Sequence, residues 1–253
     1  MKRSFVSINK LNLEPYSEII GYPKASKIQI KSRINELRKL KIKSVAFWGP
    51  TTIGKLAILG KGYVGVVVLA KRGNKNVAVK IRRSDSQRNE MKSEAVLLKT
   101  VNEVNVGPKL LDASKNFVVM EFLEGEKIGD WINNLSGRGV VKKLKTTIKM
   151  ILEDCYRLDQ ISFDHGELSS ISKHVIVGKT KPTLIDFESS STKRKVSNVT
   201  SITQAIFIGS GISKKIQKMY KIPSKEKIIQ SLREYKQKQT RESFDGLLKI
   251  LKL

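Results

Sequence analysis

The chain has 253 residues, 40% of them hydrophobic, which suffices for a packed core and excludes a disordered tail protein. Lys and Arg number 49 against 23 Asp and Glu, a formal charge of +26; such a field attracts polyanions, RNA and ribosomal particles among them, but specifies neither fold nor site. A single cysteine, Cys155, excludes an intramolecular disulfide framework and a multi-cysteine zinc site, and no stretch approaches the ~18 uninterrupted apolar residues of a membrane span, so a cytoplasmic protein without a membrane partner is expected.

Residues 1–43 are polar and basic, with Ile28, Ile30, Ile34, Leu37 and Leu40 at helical spacing among Lys27, Lys31, Arg33, Arg38 and Lys39. They are predicted to be a basic helical extension whose apolar stripe packs on the remainder of the chain and whose charges face solvent. Residues 44–123 read as an antiparallel sheet interrupted by one helix. Its strands are Val45–Trp48, Lys55–Leu59, Val64–Ala70, Val77–Ile81 and Phe117–Met120, and the helix lies within Arg88–Val104. Residues 124–253 are mainly helical. The clearest helix carries Val140, Val141, Leu144, Ile148, Ile151, Leu152, Cys155 and Leu158 on one face, which makes Cys155 a small core residue. Short strands at Val175–Val177 and Thr183–Asp186, a Ser/Thr/Lys-rich loop over Ser189–Ser201 and basic amphipathic helices complete the chain.

Two glycine-rich phosphate signatures compete. Gly49-Pro-Thr-Thr-Ile-Gly54-Lys55 has the spacing of a Walker loop, but Leu56 stands where Ser or Thr must meet magnesium, and a strand rather than a helix follows. Gly60-Lys61-Gly62-Tyr63-Val64-Gly65-Val66-Val67 lies between two strand patterns, a context that selects a β-hairpin lid over phosphates rather than a dinucleotide turn. Val77-Ala78-Val79-Lys80 comes next, at the distance of the following strand. Lys80 would supply a cation for nucleotide phosphates if a carboxylate kept its stem aligned, with Glu94 the expected partner and Glu90, one turn earlier, the fallback.

These residues, with His165-Gly166-Glu167-Leu168 and Leu184-Ile185-Asp186-Phe187-Glu188, resemble the protein-kinase-like superfamily from about Trp48 to Phe187. The similarity is greatest to compact atypical kinases: the RIO type, the kinase subunit of the KEOPS assembly and archaeal predicted serine/threonine kinases with the same Gly49-Pro50-Thr51, Lys80-Ile-Arg-Arg83 and His165–Leu168 motifs. The resemblance implies an α+β, bilobal fold: an antiparallel N-lobe sheet with one helix (44–123) and a compact, mainly helical C-lobe (124–253). It further implies ATP bound at Gly60, Lys61, Gly62, Tyr63, Val64, Gly65, Val67, Ala78, Lys80, Glu94, Met120, Glu121 and Leu123, the last three around adenine. Mg2+, or Mn2+, would sit on Asp186, and Glu167 would stand where the family has the aspartate that faces the acceptor hydroxyl. The second metal-binding asparagine has no direct counterpart. Counting five residues from Glu167 gives Ser172, whereas aligning the start of the next strand gives His174. His165 is expected to brace the loop from within.

The expected function is an atypical serine/threonine protein kinase that transfers the γ-phosphate of ATP to an unidentified protein substrate. The alternatives are an ATP-binding pseudokinase or switch on RNA or ribosomal particles, favoured by Glu167, Ser172 and the charge, and a small-molecule kinase. If the enzyme is active, hydroxyls of the Ser189–Ser201 loop become candidates for autophosphorylation.

Overall fold

The computed structural model describes residues 3–209 and 211–253, a mixed α+β chain with antiparallel sheets. It divides into two compact units: the residues up to Lys99 with Pro108–Leu123, and Thr100–Gly107 with Glu124–Leu253.

The first unit begins with β1 (Phe5–Ser7), α1 (Tyr16–Ile20), α2 (Lys27–Lys39) and β2 (Ile42–Ala46). A small hairpin of β3 (Thr51–Ile53) and β4 (Leu56–Ile58) follows, then β5 (Gly60–Lys61), β6 (Gly65–Arg72), β7 (Lys75–Arg82), α3 (Lys92–Glu103), β8 (Leu110–Ala113) and β9 (Phe117–Glu121). Seven strands form one sheet in the order β1-β2-β6-β7-β9-β8, with β5 paired to β6. Successive side chains of a strand point to opposite faces, so the register sorts them. Val66, Val68, Ala70, Val77, Val79, Ile81, Phe117 and Val119 face one way and share a core with Leu11, Ile19, Ile20, Ile34, Leu37 and Leu40.

Residues 3–43 are therefore part of the sheet domain, covering its back. α2 starts with a capping box between Ser26 and Gln29, the reciprocal bonding that satisfies orphan N–H groups at a helix start. Its apolar stripe packs as expected except at Ile28, which is 82% exposed. Arg33, expected on the solvated basic face, is buried instead; it donates to the Ile20 carbonyl at 2.7 Å, and burial lowers its pKa to about 10. Glu36 accepts hydrogen bonds from Ser114 Oγ and from the N–H and side-chain amide of Asn116, which ties α2 to the turn between β8 and β9.

The second unit starts with β10 (Gly125–Lys127), α4 (Ile128–Asn134) and α5 (Val140–Gln160), followed by α6 (Ile171–His174), β11 (Val175–Gly178) and β12 (Pro182–Leu184). Helices α7 (Asn198–Gln204), α8 (Gly211–Met219), α9 (Lys225–Lys238) and α10 (Arg241–Ile250) complete it. The three strands form an antiparallel sheet in chain order. On α5 the residues Leu144, Ile148, Ile151, Leu152, Cys155 and Leu158 are all buried. Burial raises the Cys155 thiol well above its usual range, so it is an unreactive core residue. The last predicted strand is shorter than expected: it ends at Leu184, and Asp186 sits beyond it in the left-handed region at φ 69°. Among the described residues no helix is long and apolar enough to cross a membrane.

Leu37 is fully buried on α2. Leu37→Ala is expected to lower stability in urea unfolding by about 2–5 kcal/mol, as buried leucine truncations do; a loss under about 0.5 kcal/mol would make the N-terminal segment an appendage.

Candidate functional site

The face of the first unit's sheet opposite the shared core carries Val67, Ala78, Lys80, Val118 and Met120: Lys80 lies across from Val67 on one side and Val118 on the other, and Ala78 across from Met120. Strand alternation thus sets Val67, Ala78, Lys80 and Met120, all read as nucleotide-binding, on one side. Lys80 is 5% exposed and its Nζ lies 2.6 Å from Oε1 of Glu94, itself 6% exposed in the first turn of α3. Glu90, the fallback, is exposed. α3 buries Ala95 and Leu98, with Met91 buried just before its start, and this packing fixes the rotation that brings Glu94 to Lys80.

The Gly60–Val67 segment is a tight hairpin. Gly60 pairs with Val67 and Lys61 with Val66, while the Gly62 N–H donates to the Gly65 carbonyl at 2.8 Å. Tyr63 stands at its tip, 89% exposed, and Val64 turns inward at 7%. Gly65 is required by close approach, because a Cβ there would lie 2.8 Å from the Ile81 carbonyl oxygen and 3.1 Å from Lys80 Cγ. The missing side chain is the room the lysine stem occupies. The competing signature has no such role: Gly54 and Lys55 form the turn between β3 and β4, where no helix begins. At the far end of β9, the Glu121 N–H donates to the Lys109 carbonyl and Leu123 is half-buried beyond the strand.

In the second unit the His165–Leu168 loop hangs on one asparagine that belongs to no sequence motif. Asn198, 1% exposed at the start of α7, accepts from the His165 N–H at 2.8 Å and donates through Nδ2 to the Phe163 carbonyl at 2.6 Å and to Asp159 Oδ1 at 2.8 Å. Asp159 also accepts from the Val199 N–H and the Tyr235 hydroxyl; burial nevertheless raises its pKa, against the lowering effect of those hydrogen bonds. His165 is fully buried with Nε2 3.1 Å from the Ile185 carbonyl. Burial first, then the neighbouring His174 ring, lowers its pKa to about 4, so it is a neutral brace at physiological pH.

The Ser189–Ser201 segment is ordered against this loop. Asp164 and Ser191 exchange backbone hydrogen bonds, Arg194 Nε donates to Asp164 Oδ2 at 2.9 Å, and Thr200 and Ser201 lie on α7 rather than in a linker. Gly166, at φ 86°, must be glycine, since a Cβ would meet the Arg194 guanidinium at 2.4 Å and the Ser189 carbonyl at 2.7 Å.

Three ligand-bearing side chains converge within this unit. Glu167, His174 and Asp186 each place one donor atom within 4.8 Å of the other two. A 3-10 turn over Leu168–Ser170 runs into α6, so Glu167 and His174, seven residues and about two helical turns apart, return to the same side. Their Oε2 and Nε2 atoms are 3.3 Å apart, and Ser189 Oγ donates to the other Glu167 oxygen at 2.8 Å. Ser172, two residues before His174, is exposed and on the opposite side of the turn, with its Cβ 3.4 Å from where a Cβ of Gly129 would stand. It is not part of this cluster. Two carboxylates and an imidazole suit a divalent cation.

No family model matches the chain. Over 119 residues it is 26% identical to the uncharacterized protein MJ1211 of Methanocaldococcus jannaschii, a match covering 47% of this chain and 97% of that protein. That similarity carries no activity with it.

Asn198→Ala removes the side-chain partner of the His165 N–H and of the Phe163 carbonyl together. The expected cost is about 1–3 kcal/mol for each buried group left unsatisfied, with faster amide exchange at His165; wild-type exchange there would mean that the loop is held by other contacts.

Proposed function

We propose that the chain is an ATP-dependent phosphotransferase with a bilobal, atypical protein-kinase-like fold, which passes the γ-phosphate to a protein hydroxyl. The observation that carries this reading is the buried Lys80–Glu94 pair beneath the glycine hairpin. Withdrawing two charges from water costs several kcal/mol per ion, and apolar residues in their place would often stabilise a sheet as well or better. A pair kept there, on the face that also bears Val67, Ala78 and Met120, suits a lysine held ready for phosphate.

In this reading the hairpin backbone covers the phosphates, Ala78 and Met120 bed the adenine, and the backbone at Glu121 and Leu123 meets its polar edge. Lys80 neutralises phosphate charge. Asp186, with Glu167 and His174, would hold a divalent ion, which would supply positive charge against the negative charge that develops in phosphoryl transfer. Glu167, steadied by Ser189, is the acceptor-side carboxylate. Phosphoryl transfer demands positioning and charge neutralisation more than a nucleophile from the protein, and these residues supply both. The net charge of +26 favours acceptors in polyanionic surroundings, such as a protein carried on RNA.

ATP binding by calorimetry and transfer of labelled phosphate test the proposal. Asp186→Asn keeps the shape but removes the charge; it is expected to retain the fold and lose about 100-fold or more in metal-dependent turnover. Lys80→Ala alone strands Glu94 and is expected to cost about 3–5 kcal/mol of stability, so Lys80→Met/Glu94→Gln, which leaves no buried charge, is the cleaner probe. That double variant should fold and bind ATP at least several-fold more weakly. Wild-type ATP affinity in it, or wild-type turnover in Asp186→Asn, would overturn the proposal.

A further inference from the structure

We propose that Glu167, His174 and Asp186 form one metal centre that selects first-row transition cations, with Mn2+ the member suited to phosphate chemistry, over Mg2+. The inference deepens the phosphotransferase reading and rests on it for what the ion does. The ligand set itself comes from the geometry of the second unit alone.

Ligands about 2.1 Å from a common octahedral ion stand about 3.0 Å apart when adjacent and about 4.2 Å apart when opposite. The three donor atoms here lie within 4.8 Å of one another, and His174 Nε2 to Glu167 Oε2, at 3.3 Å, is close to the separation of adjacent ligands. Small side-chain rotations therefore close the site without moving the backbone.

Mg2+ demands hard oxygen ligands and gives up water reluctantly, so it favours carboxylates, phosphates and waters. Imidazole nitrogen shifts the preference toward transition ions, whose affinities for mixed nitrogen and oxygen sites rise through the row from Mn2+. A centre with an imidazole among three protein ligands is built against the magnesium preference.

His174 is 6% exposed, its ring packs edge-on to His165 at 5.4 Å, and its Nδ1 is buried with no hydrogen-bond partner among the described residues. The nitrogen open to the cluster is Nε2, 3.3 Å from Glu167 Oε2. Nε2 is placed to donate its proton to Glu167 Oε2, and a cation would take that proton's place between the two atoms, with the ring's remaining proton on Nδ1. The surroundings hold the ligands in that pose: Ser189 occupies Oε1 of Glu167, leaving Oε2 for the ion, and His165 grips the carbonyl of Ile185, next to Asp186. Such outer partners orient ligands in established metal centres. Because phosphoryl transfer passes through a loose transition state, a carboxylate engaged by the ion sacrifices little general-base assistance.

The test uses the full chain without nucleotide and Mn2+ as the probe. Electron paramagnetic resonance of the free ion should show one Mn2+ bound per chain, and pulsed spectra should show nitrogen-14 modulation from a coordinated imidazole. Mg2+ should displace half of it only at about 100-fold excess or more. The chain holds two histidines, so His174→Ala should abolish the modulation, weaken Mn2+ binding at least about 10-fold and bring the Mg2+ needed for displacement down by a similar factor. Asp186→Asn, with a half-buried side chain, should weaken Mn2+ binding to a similar degree, which keeps the proposal open to refutation should His174→Ala fail to fold. Mn2+ bound without nitrogen modulation, no stoichiometric binding, or unchanged binding in either folded variant overturns the proposal. Phosphate transfer that runs on Mg2+ and ignores His174→Ala would refute the metal selection and leave the phosphotransferase standing. Mn2+ bound through imidazole by a protein that never transfers phosphate would do the reverse.

Discussion

An ammonium and a carboxylate taken out of water together constrain everything around them, and in this protein the Lys80–Glu94 pair sets that constraint. Neither partner tolerates loss of the other, because a lone buried charge costs more than the pair. Lys80 must therefore stay on the sheet face away from the shared core, which fixes the register of β6, β7 and β9 and sends the alternate valines to the back. Gly65 must lack a side chain to make room for the lysine stem. α3 must present Glu94 while burying Ala95 and Leu98. The back face then needs a cover, and the chain supplies it from residues 3–43.

The second unit solves a related problem with neutral and singly charged groups. Its ligand-bearing loop has little regular structure, so its backbone polar groups need partners from elsewhere. Asn198 and Asp159 provide them, joined through Tyr235 to the C-terminal helices. The result is a short segment, Phe163 to His174, gripped at its base while Glu167 and His174 face each other at 3.3 Å. Preorganisation of this kind is what metal and phosphate chemistry asks of a protein, since ligands that are already placed need not be ordered when the ion arrives.

Local pattern carried much of this in the sequence. The glycine hairpin could be told from a Walker loop because strand residues come after Lys55, and Glu94 could be chosen over Glu90 because it sits beside the helix's apolar stripe. What stayed hidden depends on long-range partners. An amphipathic helix does not say what it packs against, so the N-terminal segment reads as an extension rather than as the cover of a sheet. Arg33 reads as one more surface charge, because its burial depends on the Ile20 carbonyl and on Asn116, 83 residues away. Asn198 carries no motif at all; its partners lie 33 to 39 residues earlier in the chain. Ser172 and His174 could not be separated by counting, because the choice turns on a helical path between Glu167 and His174 that only the fold supplies.

The claim on which the rest of the functional account depends is that nucleotide phosphates reach Lys80. An ATP analogue bearing an acyl phosphate transfers its acyl group to a lysine amine held against the phosphates, and peptide mass spectrometry then reports which lysine was modified. On a chain this rich in lysine, the account predicts preferential labelling of Lys80 at low probe concentration, suppressed by excess ATP. Labelling spread over surface lysines with Lys80 untouched, or labelling of Lys80 that ATP does not suppress, would contradict it.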